Sequence, residues 1–236
     1  MKNLWLIGGM GLASILGSCD EGKIYPSETG SGNEGFSVVM TGNVVGSSDY
    51  GSGYSLALAV FEEGSDFAEI SKRVDGEEEN SKDVELSNVN IKEGTAELCV
   101  INSLRKRVIT FASLPVSGVK SGETITFNVG DVDVSQYGTI ADRIFATTCI
   151  QCHGATGHSA AGLDLNREQA YAMLVDVASV VEPGKMRVAP GDSRESTLWE
   201  AVATDLSASW NFNHSNLLPQ EQSGFIENWI NNGAEK

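Results

Sequence analysis

From residue 36 to residue 135 apolar and polar positions alternate with a period of two, the mark of half-buried strands rather than helices. Seven runs stand out, at 36–45, 54–61, 67–74, 83–91, 95–101, 105–112 and 124–134. Turn signals lie between them: Gly51-Ser52-Gly53, Asp75-Gly76, Glu93-Gly94 and Ser121-Gly122. The run 54–61 opens with alternation and finishes as the continuous apolar stretch Ala57-Leu58-Ala59-Val60-Phe61, which predicts a strand buried on both faces. Seven short strands in about 100 residues predict a β-sandwich. After Gln136 the period lengthens. Thr139 is a candidate N-cap for a helix over 140–150, with Ile140, Ile144 and Phe145 on one face. Asn166 would cap a second helix to about Val177, and Ser193 with Ser196 a third to about Thr204. Pro219 would open a fourth through Asn231, stopped by Gly233. The pattern therefore predicts two domains, an all-β one over 36–135 and an all-α one over 136–236.

The sandwich is expected to be immunoglobulin-like in architecture only. The paired Cys and buried Trp of antibody domains are missing, because all four Trp lie outside 36–135. The first residues tell a different story. Met1-Lys2-Asn3 is a short positive start, and the apolar run over 4–16 is too short to cross a bilayer as a helix. It has the length of a signal-peptide core. Leu16-Gly17-Ser18-Cys19 resembles the lipobox of bacterial lipoproteins. That resemblance implies a signal peptide over 1–18 and a lipidated Cys19 that tethers the chain to a membrane. The Gly- and Ser-rich residues that follow, within 19–35, read as a flexible tether.

Composition narrows the options. The chain has 236 residues, 41% hydrophobic and 20% charged, which suits a soluble globular protein. Asp plus Glu outnumber Lys plus Arg by 32 to 16, for a formal charge of -16. That balance argues against nucleic acid, whose binding rests on cations that neutralise phosphates. It suits docking onto a basic patch of a partner protein.

The four cysteines divide by context. Cys19 belongs to the lipobox, and Cys99 sits alone in an apolar alternation, as expected of a buried free thiol. Cys149-Ile150-Gln151-Cys152-His153 is the c-type haem attachment pattern. Two thiols at this spacing can add to the two vinyl groups of haem, and the adjacent His then stands beneath the iron. A redox dithiol does not need that His, and half a zinc site lacks a second ligand pair here.

Residues 139–234 resemble a monohaem class I cytochrome c domain of the kind carried by bacterial periplasmic and surface proteins. The resemblance rests on Cys149 to Gly154, Gly162-Leu163-Asp164-Leu165, Val188-Ala189-Pro190-Gly191-Asp192 with Ser196-Thr197-Leu198-Trp199, and the closing Trp229-Ile230-Asn231-Asn232-Gly233-Ala234. It implies an all-α cytochrome c fold and one covalent haem c held by Cys149 and Cys152, with His153 as axial ligand. It also implies that the first and last helices cross at Phe145 and Trp229. The family usually supplies a Met as sixth ligand just before the last helix. Here the stretch 211–219 has none, and His214 occupies that place. His214 is the candidate distal ligand and Met186 the alternative. Met173 reads as core, and His158, five residues past His153, as exposed. An open sixth position also stays in play.

The expectation is a lipid-anchored carrier in the cell envelope, facing periplasm or cell surface, that passes single electrons between redox partner proteins. It is not expected to be an enzyme, since no acid–base pair suits a peroxidase or oxidase. The alternative is an envelope binding module whose sandwich recognises a ligand and whose haem is accessory or sensory.

Overall fold

A computed structural model describes residues 35–75, 83–154 and 159–236. The signal peptide, Cys19, the tether up to residue 34, the Glu77-Glu78-Glu79 run and His158 lie outside the described residues.

The period-two segments become seven strands: β1 (Phe36–Val45), β2 (Tyr54–Glu62), β3 (Ala68–Arg73), β4 (Val84–Val89), β5 (Gly94–Asn102), β6 (Arg107–Pro115) and β7 (Thr124–Asp133). They form two sheets, ordered β4-β1-β7 and β3-β2-β5-β6. Only β1 with β7 is parallel, with Val38 opposite Ile125 and Met40 opposite Phe127; the other pairs are antiparallel. Register follows the alternation. Leu56 faces Val100 and Leu58 faces Leu98, which puts these side chains on one face of the larger sheet. They share a core with Val38, Met40 and Phe127 of the smaller sheet. This two-sheet arrangement is compatible with the immunoglobulin-like expectation. The opposite face of β2 and β5 carries a second cluster, Ala57, Ala59, Phe61, Cys99 and Ile101. Arg107 lies 4.0 Å over the Phe61 ring and grips the buried Glu97 through two 2.9 Å bonds. Cys99 is buried and free, and burial pushes its thiol up.

The C-terminal part does not have the expected all-α cytochrome c fold. Its helices are few and short: α1 (Gln136–Ile140), α2 (Arg167–Leu174), α3 (Thr197–Ala203), α4 (Ser207–Trp210) and α5 (Gln220–Asn231). The expected helix over 140–150 starts earlier, because Ser135 Oγ accepts the Gly138 amide and so caps α1. Thr139 is buried inside that helix instead. The chain then widens into a π-helical turn over Ala141–Phe145 and tightens to a 3₁₀ turn over Cys149–Gln151. The second helix stops at Leu174, since Val175 turns extended and bridges to Val188. Between α2 and α3 the chain doubles back through bridges Ala178–Met186 and Met186–Ser196. The β-branched Val175, Val177, Val180 and Val181 and the Pro183-Gly184 turn favour this extended path over helix.

The last helix helps to hold the two parts together, beside contacts such as Arg143 on Phe111 and Arg167 with Asp133. Phe225 of α5 is fully buried and packs edge-on against Tyr50 at 5.3 Å and Tyr54 at 5.2 Å. Asn232 donates to the Tyr50 carbonyl at 3.1 Å, and Lys106 of the β5–β6 turn pairs with Glu221 at 2.6 Å. One continuous apolar core runs from Phe36 to Ala234.

Candidate haem site

The attachment motif forms a tight loop on itself. The amides of Cys152 and His153 both donate to the Cys149 carbonyl, at 3.2 and 3.0 Å. This puts both sulfurs and the imidazole on one turn, directly after the buried Ile144 and Phe145 that anchor the preceding segment. Cys149 is half-buried and Cys152 exposed, and both thiols are free. Burial, with Cys152 close by, pushes the Cys149 thiol up to about 11. The turn over 160–162 brings the Ala160 carbonyl to 3.0 Å from His153 Nδ1. A carbonyl only accepts, so a proton on Nδ1 donates to it, and the neutral ring in that tautomer offers Nε2 to a metal.

His214 comes to this turn from the loop before α5. Asn211 is left-handed at φ 59° and reverses the chain after α4. Asn213 Oδ1 then accepts from the Ser215 amide and hydroxyl, at 2.9 and 2.7 Å. The His214 ring packs edge-on against Phe212 at 4.8 Å and Trp210 at 6.2 Å. Trp210 Nε1 donates to Glu182 Oε1 at 3.1 Å and so ties this loop to the extended segment that bears Met186.

The His153 and His214 rings lie 6.2 Å apart, centre to centre, with planes 30° from parallel. Two imidazoles bound in their ring planes to one ion at about 2 Å have centres about 6 Å apart, so this separation is compatible with a shared ion. His214 Nδ1 is buried with no partner among the described residues. Burial, helped by the His153 ring, holds the His214 imidazole below its ordinary value and hence neutral, the form that binds a metal. Five of the eight exposed large hydrophobics among the described residues, Val180, Val181, Met186, Phe212 and Leu217, lie on the two loops joined by Trp210 and Glu182. An apolar macrocycle at this position would remove such surface from water. Two free thiols, two imidazoles at metal-spanning distance, an orphaned buried nitrogen and an apolar rim together fit a haem.

Met186 is 39% exposed, its amide and carbonyl engaged by Glu195 and Thr197. The Met173 sulfur accepts the Asp164 amide at 3.2 Å. Phe145 and Trp229 are both core, and Trp229 packs on Tyr137 at 5.7 Å. Leu165 and Val188 are buried, while Leu163 and Leu198 are partly so against the same core. Sequence reading overlooked Trp210 and Phe212, although their spacing with His214 at every second residue was a visible signal. It overlooked the Ala160 carbonyl too, and for this no sequence signal exists. A separate cleft of about 550 Å³ opens between Tyr54 and Asn102 on one side and Trp199, Leu218 and Glu227 on the other; none of the four site residues lines it.

The family model described as Planctomycete cytochrome C matches residues 149–209, so the C-terminal part holds a cytochrome c-like domain, and such a domain implies haem. The match begins at Cys149 and ends before His214. No curated protein and no solved structure matches this chain.

Proposed function

We propose that this protein is a lipid-anchored electron carrier with one covalent haem c, bound through Cys149 and Cys152 and ligated by His153 and His214. The observation that carries the reading is the 6.2 Å separation of two near-parallel imidazoles beside two free thiols. When bound, haem supplies an iron that cycles between two oxidation states one electron at a time. His153 and His214 would supply its nitrogen donors. Ala160 orients the first ring, and Phe212 with Trp210 confine the second. A second imidazole in place of Met lowers the potential, because Met is the axial ligand that raises it. The apolar rim keeps water from the site. The net charge of -16 suits encounter with a partner that bears a basic patch, through attraction that weakens with salt. The anchoring rests on the lipobox at Cys19.

Maturation of the full chain with a c-type haem assembly system tests this. A haem-staining band should survive denaturing electrophoresis, and a Cys149→Ser, Cys152→Ser double variant should lose it. His214→Ala should let carbon monoxide bind the reduced protein, whereas the wild type should resist. A long-wavelength sulfur-to-iron band that disappears in Met186→Ala, and persists in His214→Ala, would pass the distal role to Met186.

A further inference from the structure

Arg187 sits in the C-terminal part without an acidic partner. Two other arginines of this part are engaged by carboxylates, Arg167 by Asp133 and Asp142 and Arg194 by Asp192, while Arg143 donates to the Phe111 carbonyl and lies over its ring. No carboxylate among the described residues pairs with Arg187. Its guanidinium instead spans two main-chain carbonyls, with Nη1 at 2.9 Å from Met173 O and Nη2 at 3.4 Å from Ala161 O. Its own backbone is fastened on both sides: the amide donates to Val177 O at 2.7 Å, and its carbonyl accepts Leu198 N at 3.0 Å. The fork therefore links a fixed strand-like segment to the end of α2 and to the 160–162 turn.

That turn is the one whose Ala160 carbonyl receives His153 Nδ1. It is not relaxed: Ala161 is left-handed at φ 55°, a conformation disfavoured for a residue with a Cβ. Two contacts from outside tie it down: the Ala160 amide donates to the Cys152 carbonyl at 3.0 Å, and the Arg187 guanidinium donates to the Ala161 carbonyl at 3.4 Å. We infer that Arg187 is a positioning residue for His153, acting through the Ala160–Ala161 peptide. It fixes the direction of the acceptor that sets the His153 ring plane, and it places a fixed positive charge on the Ala160 side of the ring. The inference rests on the haem reading above. Partners one shell away from a ligating His set its tautomer, orientation and donor strength. A positive charge on this side of the ring would disfavour the oxidised iron, which carries one more unit of charge, and so raise the potential.

The experiment compares haem-loaded full-length wild type with Arg187→Gln and Arg187→Lys. Haem staining, midpoint potential, the low-temperature EPR spectrum of the oxidised form and the melting temperature are read on each. Gln removes the charge and the fork; Lys keeps the charge but, as a single point donor, cannot bridge both carbonyls. Arg187→Gln should keep its covalent haem yet show a lower potential and a changed EPR line shape, because that shape reports the angle between axial ring planes. Arg187→Lys should recover most of the potential and leave the line shape altered. A purely structural staple would lower the melting temperature and move neither of the other readouts. Wild-type potential and line shape in a haem-bearing Gln variant would overturn the inference while leaving the haem reading intact. Absence of haem from the wild type would instead defeat the haem reading. If Arg187→Gln does not fold, an unaltered line shape in Arg187→Lys overturns the inference.

Discussion

Phe225→Ala should destabilise the whole of the described fold, not the last helix alone. The ring is fully buried on α5 and contacts Tyr50 and Tyr54, both from the β-rich part, edge-on at 5.3 and 5.2 Å. Truncating a buried Phe to Ala costs about 3–5 kcal/mol through lost burial and the cavity left behind. Two edge-to-face contacts, each worth about 0.5–1.5 kcal/mol beyond area, place this site toward the top of that range. A total stability of about 5–15 kcal/mol makes that a large share. For a chain of this size each kcal/mol lowers the melting temperature by about 2–4 °C, so the expected fall is about 6–20 °C. Far-UV circular dichroism follows the sheets, and tryptophan emission reports chiefly on Trp199, Trp210 and Trp229 in the C-terminal part. Because one continuous core joins the two parts, both signals should drop together. The reasoning fails if the variant loses its tryptophan signal early while the sheets melt at the wild-type temperature.

Other outcomes follow from single contacts. Burial works to raise the Asp133 carboxyl, but the Ser135 hydroxyl and amide and the Arg167 guanidinium outweigh it and hold the group below its ordinary value. The folded protein thus binds this proton less readily than the unfolded chain. The stability Asp133 contributes is present above the unfolded value of about 3.9 and is lost as pH falls through the folded one. Asp133→Asn should therefore lose stability at neutral pH and flatten the acid limb of melting temperature against pH; an unchanged limb would count against it. In the haem-free protein Cys149, with its thiol pushed up to about 11, should alkylate with iodoacetamide more slowly than the exposed Cys152, as peptide mass mapping would reveal. Equal rates would contradict the burial argument. Gly94→Ala should fold poorly, since a Cβ at that position runs into the Phe61 carbonyl across the β2–β5 pair, and backbone cannot step aside; a wild-type melting curve would refute this.

The strands were legible because one face of each is buried, so period-two alternation had to appear in the residues themselves. All seven expected strands are present, and β1 keeps its expected bounds of 36–45. Helix reading in the C-terminal part succeeded for α3, which runs Thr197–Ala203 between Ser196 and Thr204 as expected, and for the helix that buries a stripe of its own. α5 does this with Phe225, Ile226, Trp229 and Ile230, and it begins after Pro219 as expected. It failed over 140–150 and 175–196, where the path is decided by partners distant in sequence. Ser135 captures the start of α1, and Val188 draws Val175 into a bridge. An all-α fold was expected because the motif order resembles that of all-α relatives, yet motif order does not dictate what the intervening residues pair with.

The residue types for the chemistry are written in the chain. Cys149, Cys152 and His153 need only local spacing, because a single turn closes on the Cys149 carbonyl. His214 was legible as a candidate by its place before the last helix. Its distance from His153 was not, because the two residues lie on separate loops whose approach depends on Asn211, Trp210 and Glu182. The Arg187 fork was invisible for the same reason: main-chain carbonyls carry no residue identity, so a side chain that binds them leaves no pattern in the sequence. The union of sheets and helices in one core was likewise a tertiary outcome. Tyr50, Tyr54 and Phe225 read singly as ordinary aromatic residues, and only folding places their edges and faces against one another. Local order in this protein follows from periodicity and capping, whereas the site follows from loops whose geometry is set by contacts the linear chain does not encode in any nearby residue.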